Sequence, residues 1–274
     1  MTELVESAHG LITAFIFVTG ACIGSFLNVC IYRIPLDQSV AFPGSHCPQC
    51  KKSISWYDNI PILSYFILRG KCRSCKASFS PRYAVVEATT AILFLLIWLQ
   101  YGWTVLTPIF FLVVSSLLLA TFVDLDHMII PDRVSIGGMI AGVILSTLFP
   151  VIHEQTTHLQ GLLTSGIGLL IGFGSLWLVS VLGRWAFKKD AMGFGDVKLL
   201  GAIGAFLGWR GVLFTIMISS LLGTVVGLAF IVGGKHEWQS KIPYGPYLAV
   251  GAIVWILWGT VWWNAYIHWM SGAY

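Results

Sequence analysis

Thr104-Val-Leu-Thr-Pro-Ile-Phe-Phe-Leu-Val-Val-Ser-Ser-Leu-Leu-Leu-Ala-Thr-Phe-Val123 carries no charge, and Asp124-Leu-Asp126-His-Met-Ile-Ile-Pro-Asp132 follows it at once. A helix rises about 1.5 Å per residue and a bilayer's hydrocarbon core is about 30 Å thick, so the first stretch is one membrane crossing long. Seven further windows read the same way, at 10–32, 84–101, 134–151, 161–183, 197–209, 211–233 and 247–268. The window 197–209 is short, and Trp209-Arg-Gly211 reads either as a turn between two spans or as a kink. Hydrophobic residues make up 57% of the 274, charged residues only 10%, and mean hydropathy is +0.82. A soluble protein carries about 25% charged residues. The composition therefore excludes a soluble enzyme, a disordered chain and a secreted disulfide scaffold. The fold class is an all-α polytopic membrane protein of about eight transmembrane helices.

The basic residues orient it. With the N-terminus outside, the loops 33–83, 124–133, 184–198 and 234–246 lie in the cytoplasm. The first holds Arg33, Lys51, Lys52, Arg69, Lys71, Arg73, Lys76 and Arg82, and the second holds Arg133. The third holds Arg184, Lys188, Lys189 and Lys198, the fourth Lys235 and Lys241, and only Arg210 is left outside. Lys and Arg collect on the cytoplasmic side of membrane proteins, so this layout is self-consistent. Orientation alone accounts for the basic loops, which require neither nucleic acid nor anionic lipid as partner. The first window is too long for a signal-peptide core and has no basic flank before it, so it reads as a span. Trp103, Trp209, Trp262, Trp263 and Trp269 fall near outer ends, where amphipathic rings anchor helices.

The first loop contains Cys47-Pro-Gln-Cys50 and Cys72-Arg-Ser-Cys75. Two C-x-x-C knuckles can offer four thiolates in tetrahedral array to Zn(II), and four sulfurs leave no open position for catalysis. Disulfides do not persist in a reducing compartment, which favours metal over a cystine pair there. A redox pair is the competing reading. Cys22 and Cys30 fall within the first span and read as small packing residues.

Only 12 acidic residues occur, and those near hydrocarbon need a reason. Asp37, Asp58, Asp190 and Glu237 read as solvated loop residues. Asp124, Asp126 and Asp132 cluster after the third span, and Asp196 closes Gly193-Phe-Gly-Asp196 at the start of the sixth. Two carboxylates at one depth can activate water for peptide hydrolysis. The plainer reading is that they cap helices or pair with Arg133 and Lys198. His127 reads as solvated or capping, and Asp132, after Pro131, as the N-cap of the next span. In this orientation Asp124 ends its helix and Asp196 begins one, so helix-end charges alone assign a shared proton to Asp124.

Taken together, several motifs resemble the type IV prepilin peptidase family. They are Gly24-Ser-Phe-Leu-Asn28-Val-Cys-Ile-Tyr-Arg33-Ile-Pro35, the cysteine quartet, Asp58-Asn-Ile-Pro-Ile-Leu-Ser-Tyr65, Leu68-Arg-Gly-Lys-Cys72 and Arg82-Tyr83. Glu87, Asp124 to Pro131-Asp132, Gly193-Phe-Gly-Asp196 and Ile242-Pro-Tyr-Gly-Pro246 complete the set. The resemblance implies a bifunctional aspartic enzyme of the bacterial inner membrane. It would cut the leader from type IV prepilin or pseudopilin precursors after a glycine at the cytoplasmic face. It would then methylate the new N-terminus with S-adenosylmethionine. The resemblance places the catalytic pair at Asp124 and Asp196, with Asp126 as runner-up, and structural zinc at Cys47, Cys50, Cys72 and Cys75. Methyl transfer is implied for the first loop, with Gly70 as the first choice of donor-site residue. No Gly-x-Gly-x-x-Gly motif stands behind that half of the function. The implied organisation is a first transmembrane helix at 1–32, a zinc loop at 33–83 associated with methyl transfer, and a peptidase domain at 84–274. From other classes, a proton- or ion-coupled transporter could use the same aspartates as a relay, and a zinc-ribbon scaffold could bind partners without chemistry.

Overall fold

The structure is a computed structural model and describes residues 2–188, 192–233 and 243–271. Lys189, Asp190, Lys235, Glu237, Lys241 and Ile242, all read from the sequence above, lie outside the described residues. Eight α-helices follow in order: α1 (Thr2–Arg33), α2 (Leu63–Ile67), α3 (Arg82–Tyr101), α4 (Leu106–His127), α5 (Asp132–Leu148), α6 (His158–Phe187), α7 (Phe194–Val232) and α8 (Gly245–Ser271). The chain forms two compact units, Met1–Leu119 and Ala120–Tyr274, and the boundary falls inside α4.

Among the described residues, six helices are long and apolar enough to cross a membrane, against the eight spans expected. Two features make the difference. The expected span 134–151 is the 17-residue α5, which ends at Leu148. The expected spans 197–209 and 211–233 together form α7, whose 39 residues are interrupted at Gly208 with φ 68° and ψ 178°. The break lies one residue before the Trp209-Arg-Gly211 expected to mark it, because glycine alone enters that backbone region without cost. A Cβ built on Gly204 would lie 3.0 Å from Val212 Cγ2, although a straight helix separates such residues by roughly 12 Å along its axis. The chain therefore folds back at Gly208, and α7 is two limbs.

Breaking the helix removes the usual partner of the Ala205 carbonyl. Ser146 Oγ donates to it at 3.1 Å and Ser165 Oγ at 2.8 Å, which answers the demand that buried carbonyls stay paired. His153 packs beside the turn, its Nε2 3.0 Å from Ser146 Oγ. Arg210, the one basic residue expected outside, lies over the rings of Trp209 and Trp263. Within this unit α6 packs closely on the first limb of α7, with Gly168 set against the Gly204 carbonyl. Small residues let helix backbones approach where lipid provides no hydrophobic drive.

In the other unit α1 packs on α3. A Cβ on Gly24 would stand 2.7 Å from Glu87 Cα, and one on Gly20 would stand 2.8 Å from Ala91 Cα. Asn28 Nδ2 donates to the Tyr83 carbonyl at 3.0 Å, joining the helices at the same end. Cys30 is buried as expected of a packing residue, whereas Cys22 is exposed on the helix surface. Between α1 and α3 the loop is held by turns and two short 3-10 segments, Ile34–Leu36 and Trp56–Asp58.

Candidate active site and metal centre

Asp124 lies in the last turns of α4 and Asp196 in the first turn of α7. Both are buried, at 5% and 8% exposure, and the glycines beside them, Gly245 against Asp124 and Gly195 next to Asp196, pack on the same Ile130. No ion pair engages either one among the described residues. The plainer reading of the acids thus applies elsewhere: Lys198 Nζ pairs with Asp132. The N-cap of α5 is Pro131, which has no side-chain donor or acceptor, so Asp132 is the first helical residue and not the cap expected. Asp126 and His127 are exposed on α4.

Sequence reasoning missed the third participant. The backbone N–H of Gly245, first residue of α8, donates to Asp124 Oδ2 at 3.0 Å. A helix N-terminus carries unpaired N–H groups and partial positive charge, so α8 aims both at this carboxyl. Helix ends therefore no longer separate the two acids, and the assignment of the proton to Asp124 loses its basis. Tyr244 anchors the approach, its hydroxyl 2.7 Å from Ser219 Oγ on the second limb of α7. The available signal was Tyr244-Gly-Pro246 before an apolar run, since proline suits a first helical turn.

Two helix starts converge on Ile130. A Cβ on Gly195 would stand 3.2 Å from Ile130 Cβ. One on Gly245 would stand 3.2 Å from Ile130 Cδ1 and 2.7 Å from Asp124 Oδ2. Any side chain at Gly245 would thus press on the carboxyl. Asp196 Oδ1 is buried and makes no hydrogen bond among the described residues, a costly arrangement that points to chemical use. Two neighbouring carboxyls without a cation can divide the roles of base and acid toward one water.

The cysteine quartet gathers in the other unit. The sulfurs of Cys47, Cys50, Cys72 and Cys75 all lie within 4.8 Å of one another, and Cys47 Sγ is 3.8 Å from Cys75 Sγ. Four Zn–S bonds of about 2.3 Å in a tetrahedron place the sulfurs roughly 3.8 Å apart. The two knuckles repeat one geometry. Lys51 N–H donates to the Cys47 carbonyl at 2.9 Å, and Lys76 N–H to the Cys72 carbonyl at 3.0 Å. Lys51 and Lys76 both take positive φ, and isolated bridges His46–Ser53 and Lys71–Ser78 close the two turns. The ribbon is reduced to these bridges, with no strand among the described residues. Backbone N–H groups of Cys50 and Gln49 turned to the Cys47 thiol bring it down to about 6. Those of Cys75 and Ser74 likewise lower Cys72. Zinc fits the donor set and the geometry. Arg73, inside the second knuckle, makes a bidentate pair with Asp58, at 2.7 Å for the shortest contact.

Gly70 precedes that knuckle with φ 65°, and a Cβ there would meet Tyr65 Oη at 3.2 Å. Its carbonyl accepts from Phe79 N–H at 2.9 Å. Glu87, quoted above without a role, is buried and accepts the N–H of Ile62 at 2.7 Å. Ile62 holds φ 64° and ψ −56°, while Leu63 N–H reaches back to the Pro61 carbonyl at 2.6 Å. This γ-turn puts a β-branched residue at positive φ, which is strained and persists only where the surroundings hold it.

Residues 18–101 match the Bacterial Peptidase A24 N-terminal domain, and residues 111–228 match the Type IV leader peptidase family. The buried aspartates fall in the second match, the quartet in the first, and Gly245 in neither. Among curated relatives, a prepilin leader peptidase/N-methyltransferase of Aeromonas salmonicida (strain A449) is 35% identical, over 94% of this chain and 96% of its own length. The protein of that name from Pseudomonas aeruginosa is 32% identical, over 90% of this chain and 91% of its own. One from Myxococcus xanthus is 39% identical over 81% of this chain but 64% of its own length. No solved structure matches the chain.

Proposed function

Because the chain belongs to the type IV leader peptidase family, we propose that it is a prepilin leader peptidase and N-methyltransferase embedded in the bacterial inner membrane. Its N-terminus lies outside and its catalytic aspartates face the cytoplasm. The observation that carries the peptidase half is the burial of Asp124 and Asp196 beside the same Ile130, with no ion pair to either among the described residues. One carboxylate takes a proton from water, whose oxygen attacks the scissile carbonyl after a glycine of a type IV prepilin or pseudopilin. The other carboxyl donates to the carbonyl oxygen. Breaking the C–N bond then releases the leader acid and a free amine, with protons returned through the pair. Like charges at short range cannot both ionise cheaply, so two acids sharing a proton suit this exchange. Bare glycine backbone at Gly195 and Gly245 lets both helix starts close on Ile130 beside the pair.

The second half follows on the amine. Its nitrogen lone pair takes the methyl group of S-adenosylmethionine, the sulfonium leaves as a thioether, and one proton is lost. The first loop, 33–83, is assigned to this step, with Gly70 beside the donor and 84–274 assigned to peptide cleavage. Cys47, Cys50, Cys72 and Cys75 would hold structural zinc, which supplies folding energy to a loop too polar to build a core. The transporter reading finds no support, since family and relatives point to peptidase chemistry and the acids lie at helix ends. Purified protein in detergent, given a pilin-like precursor and the methyl donor, should yield a mature chain heavier by one methyl group. Intact precursor after incubation would defeat the reading; cleavage without the methyl increment would remove its second half.

A further inference from the structure

We propose that α2 and the basic pocket beside it form a docking surface for the anionic phospholipid leaflet that the chain crosses. Leu63, Phe66 and Ile67 stand at positions i, i+3 and i+4 of α2, one face of a helix. All three are exposed, at 57%, 68% and 68%, while Ser64 on the other side is buried. Ile67 continues into a pocket of about 310 Å³ lined also by Leu68, Arg69, Lys71, Cys72, Arg73 and Lys76. Arg73 is committed to Asp58. Arg69, Lys71 and Lys76 are exposed and make no ion pair among the described residues. An apolar face bordered by cations is the pattern of a segment lying in a lipid interface.

The depth of α2 sets where this face lies. Ile62 N–H, at the start of α2, is bonded to Glu87, which lies one turn inside the membrane-crossing helix α3. Tyr65 stacks edge-on with Phe79 at 5.7 Å, and Phe79 with Tyr83 in the first turn of α3 at 6.3 Å. α2 is thus pinned against the point where α3 enters hydrocarbon. An exposed Leu-Phe-Ile face at that level meets acyl chains and headgroups, and the adjacent cations meet lipid phosphates. Orientation by basic loops explains the charge alone; it does not explain an apolar face held at the boundary. The proposal rests on the membrane reading but not on either catalytic activity.

Hydrogen–deuterium exchange on the full-length protein in nanodiscs tests it, with phosphatidylcholine alone or phosphatidylcholine plus phosphatidylglycerol. Amides of 63–68 should exchange roughly threefold or more slowly in the anionic discs, a local protection that the rest of the loop need not share. Added salt should narrow the difference, because exposed charges are screened. Leu63→Ser, Phe66→Ser and Ile67→Ser together should lose the protection, and Arg69→Gln, Lys71→Gln and Lys76→Gln together should lose its lipid dependence. Zinc content and cleavage of precursor, measured on the same samples, separate this result from a failure of the enzyme reading. Equal exchange in both discs overturns the proposal, as does protection that appears only when a prepilin is added.

Discussion

Gly245 N–H and Asp124 Oδ2 meet at 3.0 Å across 121 residues of sequence, so the N-terminus of α8 is built into the aspartate pair. A Cβ at this glycine would stand 2.7 Å from the same oxygen. Gly245→Ala should therefore displace the carboxyl or the helix end. Loss of a hydrogen bond to a charged group costs about 1.5–3 kcal/mol, so cleavage should fall by roughly one to two powers of ten. Zinc content should not change. Cleavage at the wild-type rate would remove Gly245 from the site.

Cys47→Ser and Cys72→Ser should each lose zinc and loosen the first loop, because structural metal binding is folding free energy. Metal analysis of wild-type protein prepared without chelator should approach one equivalent. Less than about half an equivalent would count against the site.

Asp58→Asn removes the anchor of the second knuckle, and zinc should then be lost to a chelator several-fold faster, an order-of-magnitude figure for one charge-assisted pair. The hydrogen bonds from Arg73 hold the Asp58 carboxyl below its ordinary range. A lowered carboxylate value means that the stabilisation is complete above the ordinary range and fades as pH falls through the lowered value. The difference between wild type and Asp58→Asn should thus persist from neutral pH down to about pH 5. A difference that has vanished by then would show that Arg73 does not hold this carboxylate.

Gly70→Ser should abolish methylation and leave leader cleavage largely intact. The positive φ at Gly70 and the nearby Tyr65 ring mean that a side chain strains the base of the second knuckle. Zinc must therefore be measured beside the two products. Equal loss of cleavage and methylation would sink the assignment.

Much of this was legible in the sequence because hydrocarbon is an unforgiving solvent. Uncharged runs marked the crossings, and α3, α4, α6 and α8 appear within a few residues of the expected windows. The quartet was legible because two C-x-x-C turns admit few geometries. What the sequence concealed was longer in range. Whether 197–233 is a kinked helix or two limbs depends on Gly208 and on which hydroxyls rescue the Ala205 carbonyl, and those come from α5 and α6. Asp124 and Asp126 are alike in composition, and only packing buries the first and exposes the second. Glu87 and Ile62 form a clamp that no spacing announces, since they stand 25 positions apart with α2 and the second knuckle between them.

On this reading Asp124 and Asp196 together hydrolyse the leader peptide bond. The most direct test is leader cleavage by purified full-length Asp124→Asn and Asp196→Asn, each checked for retained zinc so that misfolding is set apart. Asparagine keeps the shape and removes the proton exchange, so each variant should lose at least about 10²–10⁴-fold in rate, and the double variant should be little worse than either. Wild-type cleavage by either single variant would contradict the account and make Asp126 the next residue to test.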